Sequence, residues 1–302
     1  MRIIFMGTSS FALPYLKRLT MEKYNIVAVY SQPPRRAGRG KRLQDGEVVS
    51  YAKTLGIPYF CPENFKNLED VEVLKNLKAD FAVVVSYGII LPKVILDAPQ
   101  KACLNVHASL LPRWRGAAPI QRALLSNDEE TGISVIKMEL GLDTGPIIVK
   151  EKIKIGMQDN FSSLHSKLSL LGARLIINVL DNYDNCNIRS QPVHGVTYAK
   201  KIEKHETKID WNNNADEIIL KIRAFSDSPG AWFELKGERI KVFDGKFIDG
   251  KAEPGRIVDS QLTIGCRDRL FLPLRLQRAG RSQMDLKTFL RGFKIEPGTK
   301  AI

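Results

Sequence analysis

The chain has 302 residues, 44% of them hydrophobic, enough for about two globular domains with a sizeable core. Its formal net charge of +13, from 46 Lys and Arg against 33 Asp and Glu, points to a polyanion as partner, nucleic acid first, although a merely solvated basic surface gives the same count. The four cysteines, Cys61, Cys103, Cys186 and Cys266, are too far apart for a zinc site or a disulfide framework and read as reduced thiols, and no apolar run spans a bilayer.

Arg2 to Met6 reads as a buried strand that starts without a signal-peptide pattern, so the cytoplasm is the expected location. Gly7 to Ser10 is a turn and Phe11 to Leu19 has helical spacing, as at the start of a doubly wound sheet. The turn is not GxGxxG, so no nicotinamide cofactor is assigned. Asn25 to Tyr30 follows as a strand, then a helix from Val48 to Leu55, a short strand at Pro58 to Phe60 and a helix from Phe65 to Leu77. Asp80 to Val85 is apolar on both faces, which suits a parallel sheet covered on both sides. Ser86-Tyr87-Gly88-Ile89-Ile90-Leu91-Pro92 leaves that strand near the sheet's C-terminal edge. A helix at about Ala118 to Leu125, strands at Gly132 to Met138 and Pro146 to Ile155, and a long helix from Phe161 to Leu180 complete an alternating α/β pattern.

Between these lies the strand that begins at Cys103. Side chains on a strand alternate, so Asn105 and His107 project to one side, and Pro112 ends any central ladder. An amide and an imidazole at a strand's C-terminal end are placed where open α/β sheets bind ligands. Asp143, in Gly141-Leu142-Asp143-Thr144-Gly145, adds a carboxylate on a loop free to approach another backbone. An Asn, a His and an Asp that converge can polarise a carbonyl and manage a proton. A lone His near a strand is more often structural, and a Gly-x-Asp-x-Gly loop is usually a turn.

After about Asp181 the composition changes. Gln191-Pro192 and the charged Tyr198 to Glu206 read as a linker, Asn214 to Ala224 as a helix. The short alternating segments Ala231 to Leu235, Glu238 to Phe243, Gly255 to Val258, Leu262 to Cys266 and Arg269 to Leu276 suit a small OB-like β-barrel. The expected division is a catalytic domain over 1–188, a linker over 189–207 and a C-terminal domain over 208–302. Two basic stretches stand out. Arg35, Arg36, Arg39, Lys41 and Arg42 share a loop with no hydrophobic period, expected to stay mobile until a phosphate backbone orders it, or to be a solvated loop. Arg275, Arg278, Arg281, Lys287, Arg291 and Lys294 make a second cluster, which Lys200, Lys201 and Lys204 can join.

Asn105-Val106-His107-Ala108-Ser109-Leu110-Leu111-Pro112-Arg113-Trp114-Arg115-Gly116, followed by Gly141-Leu142-Asp143-Thr144-Gly145, closely resembles the folate-dependent formyltransferases. The resemblance runs through the chain, from Met6-Gly7-Thr8 and Gln32-Pro33 to Thr197-Tyr198-Ala199, Pro229-Gly230-Ala231-Trp232 and Leu290-Arg291-Gly292. The arginine-rich loop and the region from Trp211 onward are similar to the members that act on tRNA. The resemblance implies transfer of the formyl group of 10-formyltetrahydrofolate to the amino group of initiator methionyl-tRNA, for translation initiation, with no metal. It implies Asn105, His107 and Asp143 as catalytic residues. Ser86, Tyr87, Gly88, Ile89, Ile90, Leu91, Ser109, Leu110, Leu111, Pro112, Leu140, Gly141 and Leu142 would hold the folate. Arg35, Arg36, Arg39, Lys41, Arg42, Lys204, Arg275 and Arg278 would meet the tRNA. A monomer is expected, because a tRNA would cover much of the surface. Ser86, Leu140 and Pro146 depart from the pattern and flank the implied folate pocket.

Other readings share parts of this pattern. A formyltransferase acting on an amino-sugar nucleotide, or a 10-formyltetrahydrofolate hydrolase, would use the same Asn, His and Asp but needs neither basic stretch. A non-catalytic RNA-binding protein would have no use for the three.

Overall fold

In the computed structural model, which describes residues 1–37 and 42–302, the N-terminal part is built on a seven-stranded sheet. Its strands are β1 (Arg2–Gly7), β2 (Asn25–Tyr30), β3 (Tyr59–Phe60), β4 (Phe81–Val85), β5 (Ala102–His107), β6 (Glu130–Lys137) and β7 (Ile147–Lys154). Their spatial order is β7-β6-β5-β4-β1-β2-β3. The five from β3 to β5 run parallel, β6 lies antiparallel to β5, and β7 antiparallel to β6. All five residues of β4 are buried, as its continuous apolar run requires of a strand covered on both faces. Tyr30, Phe65, Val71, Leu74, Leu91 and Ile95 pack on one side of it. The chain leaves β1 in one direction to β2 and crosses in the other to β4, so the ends of β1 and β4 form a topological switch point.

The chain divides into two compact units. The first comprises Met1–Pro119, Glu130–Lys154 and His165–Lys200, the second Ile120–Glu129, Ile155–Leu164 and Lys201–Ile302. The second holds an antiparallel sheet of β8 (Ala231–Leu235), β9 (Glu238–Ile248), β10 (Ile264–Gly265), β11 (Leu270–Arg278) and β12 (Met284–Asp285). The order is β8-β9-β11-β10, with β12 on β11. Trp211 is buried there against Phe233 and Phe271, with ring centroids 5.5 and 5.7 Å away. The helix Ala215–Ala224 starts with the Glu217 side chain accepting from the Asn214 N–H at 3.2 Å.

The elements follow the sequence pattern with local differences. The helix expected from Phe65 begins at Leu68, because the Asn67 side chain accepts from the Glu69 N–H and caps it there. Arg35 to Ala37 and Arg42, expected within one irregular loop, belong to an antiparallel ladder in which Arg35–Ala37 pairs with Arg42–Gln44. Gly255 to Val258, expected as a strand, contributes only isolated bridges from Arg256 and Ile257. β9 continues past Phe243 to Ile248, its pairing with β11 shifting register around Asp244.

Candidate active site

Asn105 and His107 leave β5 on one face, near its C-terminal end. Cys103 shares that face, but its thiol is buried beside Met138, and burial pushes its pKa up to about 12, which removes it as a nucleophile. Asp143 lies in the β6–β7 loop with φ at +52°, in the left-handed region. Gly145 lets this loop close onto the end of β6; a Cβ there would stand 1.8 Å from the Lys137 carbonyl oxygen.

These approaches bring the three side chains together. Asn105 Nδ2 donates to Asp143 Oδ1 at 3.0 Å, and the Gly116 N–H donates to Oδ2 at 2.8 Å. His107 Nδ1 lies 3.5 Å from the same Oδ2, and Nε2 donates to the Trp114 carbonyl at 2.8 Å. The His107 and Asp143 side chains are only 7% and 11% exposed. A carboxylate fed by two N–H groups, beside a shielded imidazole, is a preorganised place to exchange a proton.

The surrounding segments divide into buried supports and exposed apolar groups. Thr8 Oγ1 and Gln32 Nε2 both donate to the Tyr87 carbonyl at 3.0 Å, and Ser9 Oγ donates to Ser86 Oγ at 2.8 Å, which ties the ends of β1 and β4. Gly88 has φ at +78° and packs on the Gln32 amide. Tyr87 and Leu91 are buried, Ile89 partly so. Ile90, Leu140 and Leu142 are 91%, 68% and 62% exposed. Ser109 and Leu111 are buried: Ser134 Oγ donates to the Ser109 carbonyl and accepts from the Leu111 N–H. Leu110 and Pro112 are partly exposed, and Gly141 packs on Thr144.

Arg39 and Lys41 lie outside the described residues. Arg35, Arg36 and Arg42 are exposed, with Arg35 donating to Gln32 Oε1. In the second unit Lys204, Arg275, Arg281, Lys287, Arg291 and Lys294 are exposed. Arg278 differs. Its Nε and Nη2 pair with Glu238 at 2.9 and 2.8 Å, its guanidinium lies 4.9 Å from the Phe293 ring centre, and the pair holds the Glu238 carboxyl below its usual range. Among the described residues no cluster of His, Cys, Asp and Glu has the makings of a metal site. No helix of the described chain is long and apolar enough to cross a membrane.

Residues 1–180 match the formyl transferase family, and residues 201–294 match the formyl transferase C-terminal domain. The chain belongs to the formyl transferase family. It is 46% identical over 299 residues to a methionyl-tRNA formyltransferase of Jannaschia sp., covering 99% of each chain. HypX of Aquifex aeolicus, solved with tetrahydrofolic acid, matches 98% of this chain with a TM-score of 0.68 at 15% identity. This chain spans about half of HypX, 49% of its length. An N-formyltransferase of Helicobacter canadensis, solved with folinic acid and dTDP-3-aminofucose, matches 91% of this chain and 98% of its own, with a TM-score of 0.68 at 17% identity. At such identities the two structures speak for the fold.

In this formyl transferase the sequence pattern points to the three side chains but not to their partners. The Gly116 N–H, the Trp114 carbonyl and Gln191 escape it. Gln191 Nε2 donates to the carbonyls of Asp143 and Gly145 at 2.7 and 2.8 Å. Gly116 needs to be glycine. Its φ is +118°, and a Cβ would stand 2.8 Å from the Ala199 carbonyl oxygen.

Proposed function

We propose that the chain transfers the formyl group of 10-formyltetrahydrofolate to the amino group of initiator methionyl-tRNA, with Asn105, His107 and Asp143 as the catalytic residues. The observation that carries this reading is the Asp143 carboxylate, held by Asn105 and Gly116 and facing His107 Nδ1 at 3.5 Å. The full-length likeness to methionyl-tRNA formyltransferases supports the choice of acceptor.

The chemistry follows from the groups present. The neutral amine attacks the formyl carbon; a new C–N bond forms and the bond to folate N10 breaks. The amine loses one proton and N10 gains one. Asn105 Nδ2 has a second N–H to offer the oxyanion that develops on the way. Asp143 and His107 Nδ1 are the two bases within reach of the amine's proton. The Trp114 carbonyl fixes the imidazole so that Nδ1 is the nitrogen that exchanges.

The exposed Ile90, Leu140 and Leu142 suit the flat pterin, within the folate set Ser86 to Leu91, Ser109 to Pro112 and Leu140 to Leu142. The tRNA set is Arg35, Arg36, Arg39, Lys41, Arg42, Lys204, Arg275 and Arg278, on a monomeric chain working in the cytoplasm. The same proposal assigns catalysis to 1–188, a linker to 189–207 and tRNA binding to an OB-like domain over 208–302; the antiparallel β8–β12 sheet supports the last. Replacing His107→Ala tests the chemistry. Turnover should fall by about 100-fold or more with tRNA affinity kept; near-normal turnover would remove His107 from the mechanism.

A further inference from the structure

Asp143 sits in a backbone conformation that side-chain-bearing residues rarely adopt, on a loop bounded by glycines, so something outside the loop must hold it. Asn105 and Gly116 hold its carboxylate. Its backbone is held by one side chain from a distant part of the chain. Gln191 Nε2 donates one hydrogen to the Asp143 carbonyl and one to the Gly145 carbonyl, at 2.7 and 2.8 Å. Gln191 Oε1 accepts from Arg115 Nη2 and Nε at 2.7 and 3.2 Å. Arg115 is tied in turn, its N–H donating to the Thr197 carbonyl at 2.9 Å, and the next residue supplies the N–H on the Asp143 carboxylate. Both donors of the amide are used, and its acceptor takes the guanidinium fork. The amide cannot be flipped, because its oxygen would then face two carbonyls.

We infer that Gln191 is a positioning residue, which with Arg115 locks the Asp143 loop so that the carboxylate keeps its place before His107 Nδ1. This rests on the proposed roles of Asp143 and His107. The side chain touches no reacting atom; it acts through the loop. A glutamine is required rather than a glutamate: a carboxylate would keep the Arg115 fork but set a lone pair against each carbonyl. Misplacement of a reacting group by about 1 Å costs on the order of 100-fold in rate.

The test compares Gln191→Glu and Gln191→Ala with the unaltered full-length protein. Amide hydrogen exchange over residues 141–145 is followed first, then kcat and KM for formyl transfer from 10-formyltetrahydrofolate to methionyl-tRNA. Faster exchange in this loop, with kcat down about 10- to 100-fold and KM for the tRNA within about twofold, supports the inference. Unchanged exchange and kcat in a folded variant overturn it. Loss of kcat matched by an equal rise in KM for the tRNA also overturns it, because that marks a binding role. The unaltered protein separates the two claims: if it fails to formylate methionyl-tRNA the functional reading falls, while loop exchange still decides the clamp. If Gln191→Ala does not fold, Gln191→Glu, which keeps the size and the Arg115 contact, carries the comparison.

Discussion

At the end of β5 a single carboxylate is shared among Asn105, Gly116 and His107, in a place nearly closed to water. On and beyond β11, Arg275, Arg281, Lys287 and Arg291 face solvent instead. The first region resembles a buried hydrogen-bond network, in which removing one partner leaves others unsatisfied. The second is a set of solvated charges, individually weak and screened by salt. Within that set Arg278 is the exception, because Glu238 already offsets it. A few fixed groups suit chemistry on a small carbonyl; many exposed cations suit a long polyanion whose backbone is read by charge.

The sharpest way to break the comparison is Asp143→Asn. It nearly preserves shape but removes the charge facing His107 Nδ1, and should lower the single-turnover rate by about 100- to 10,000-fold with tRNA affinity within about twofold. Equal losses in rate and affinity would mean that the two regions do not differ as described.

Next comes the joint replacement of Arg275, Arg281, Lys287 and Arg291 by glutamine. Affinity for methionyl-tRNA should fall, and the slope of log K against log salt should become shallower by about 0.7–0.9 for each phosphate no longer neutralised. The rate at saturating tRNA should change far less. Arg278→Gln sharpens the point: paired as it is, it should move the slope less than Arg275→Gln.

The sequence made the first region legible only in part. Asn105 and His107 could be read because alternation on a strand is local and β5 is short. Asp143 could be read because glycines two residues away on either side mark a loop that approaches other backbone, as Gly145 does at Lys137. The Gly116 N–H and the Gln191 amide could not, since they reach Asp143 across 27 and 48 residues by bonds with no periodic signature. Gln191 sits in a stretch that reads as linker. The parallel sheet was legible from the apolar runs of β1 and β4. The second unit was less so, because Gly255 to Val258 alternates like a strand yet forms only two bridges, and strand pairing there depends on partners far along the chain.

A smaller effect is expected where folate is proposed to bind. Leu140→Ser and Ile90→Ser should each raise KM for 10-formyltetrahydrofolate by about 3- to 10-fold, as removing apolar surface from the pterin's side implies, with kcat little altered. Steady-state kinetics at saturating tRNA would show it.

The smallest concerns stability in the second unit. Arg122 clasps Glu206 through hydrogen bonds of 2.5 and 3.0 Å, which hold the Glu206 carboxyl below the ordinary 4.5. A carboxylate lowered on folding contributes stability that is complete above pH 4.5 and is lost as the pH falls through its lower, folded value. Arg122→Ala should therefore cost about 0.5–1 kcal/mol at pH 7, and the difference should vanish in acid. Denaturant midpoints at the two pH values would check it.

The most direct test of the central claim offers the protein two acceptors in parallel, with 10-formyltetrahydrofolate as donor. One is charged initiator methionyl-tRNA and the other an amino-sugar nucleotide. Formyl product on the tRNA alone, abolished in Asp143→Asn, is the predicted result. Product on the sugar alone, or only free formate, would leave the chemistry at Asn105, His107 and Asp143 standing and contradict the account of the acceptor and of both basic stretches.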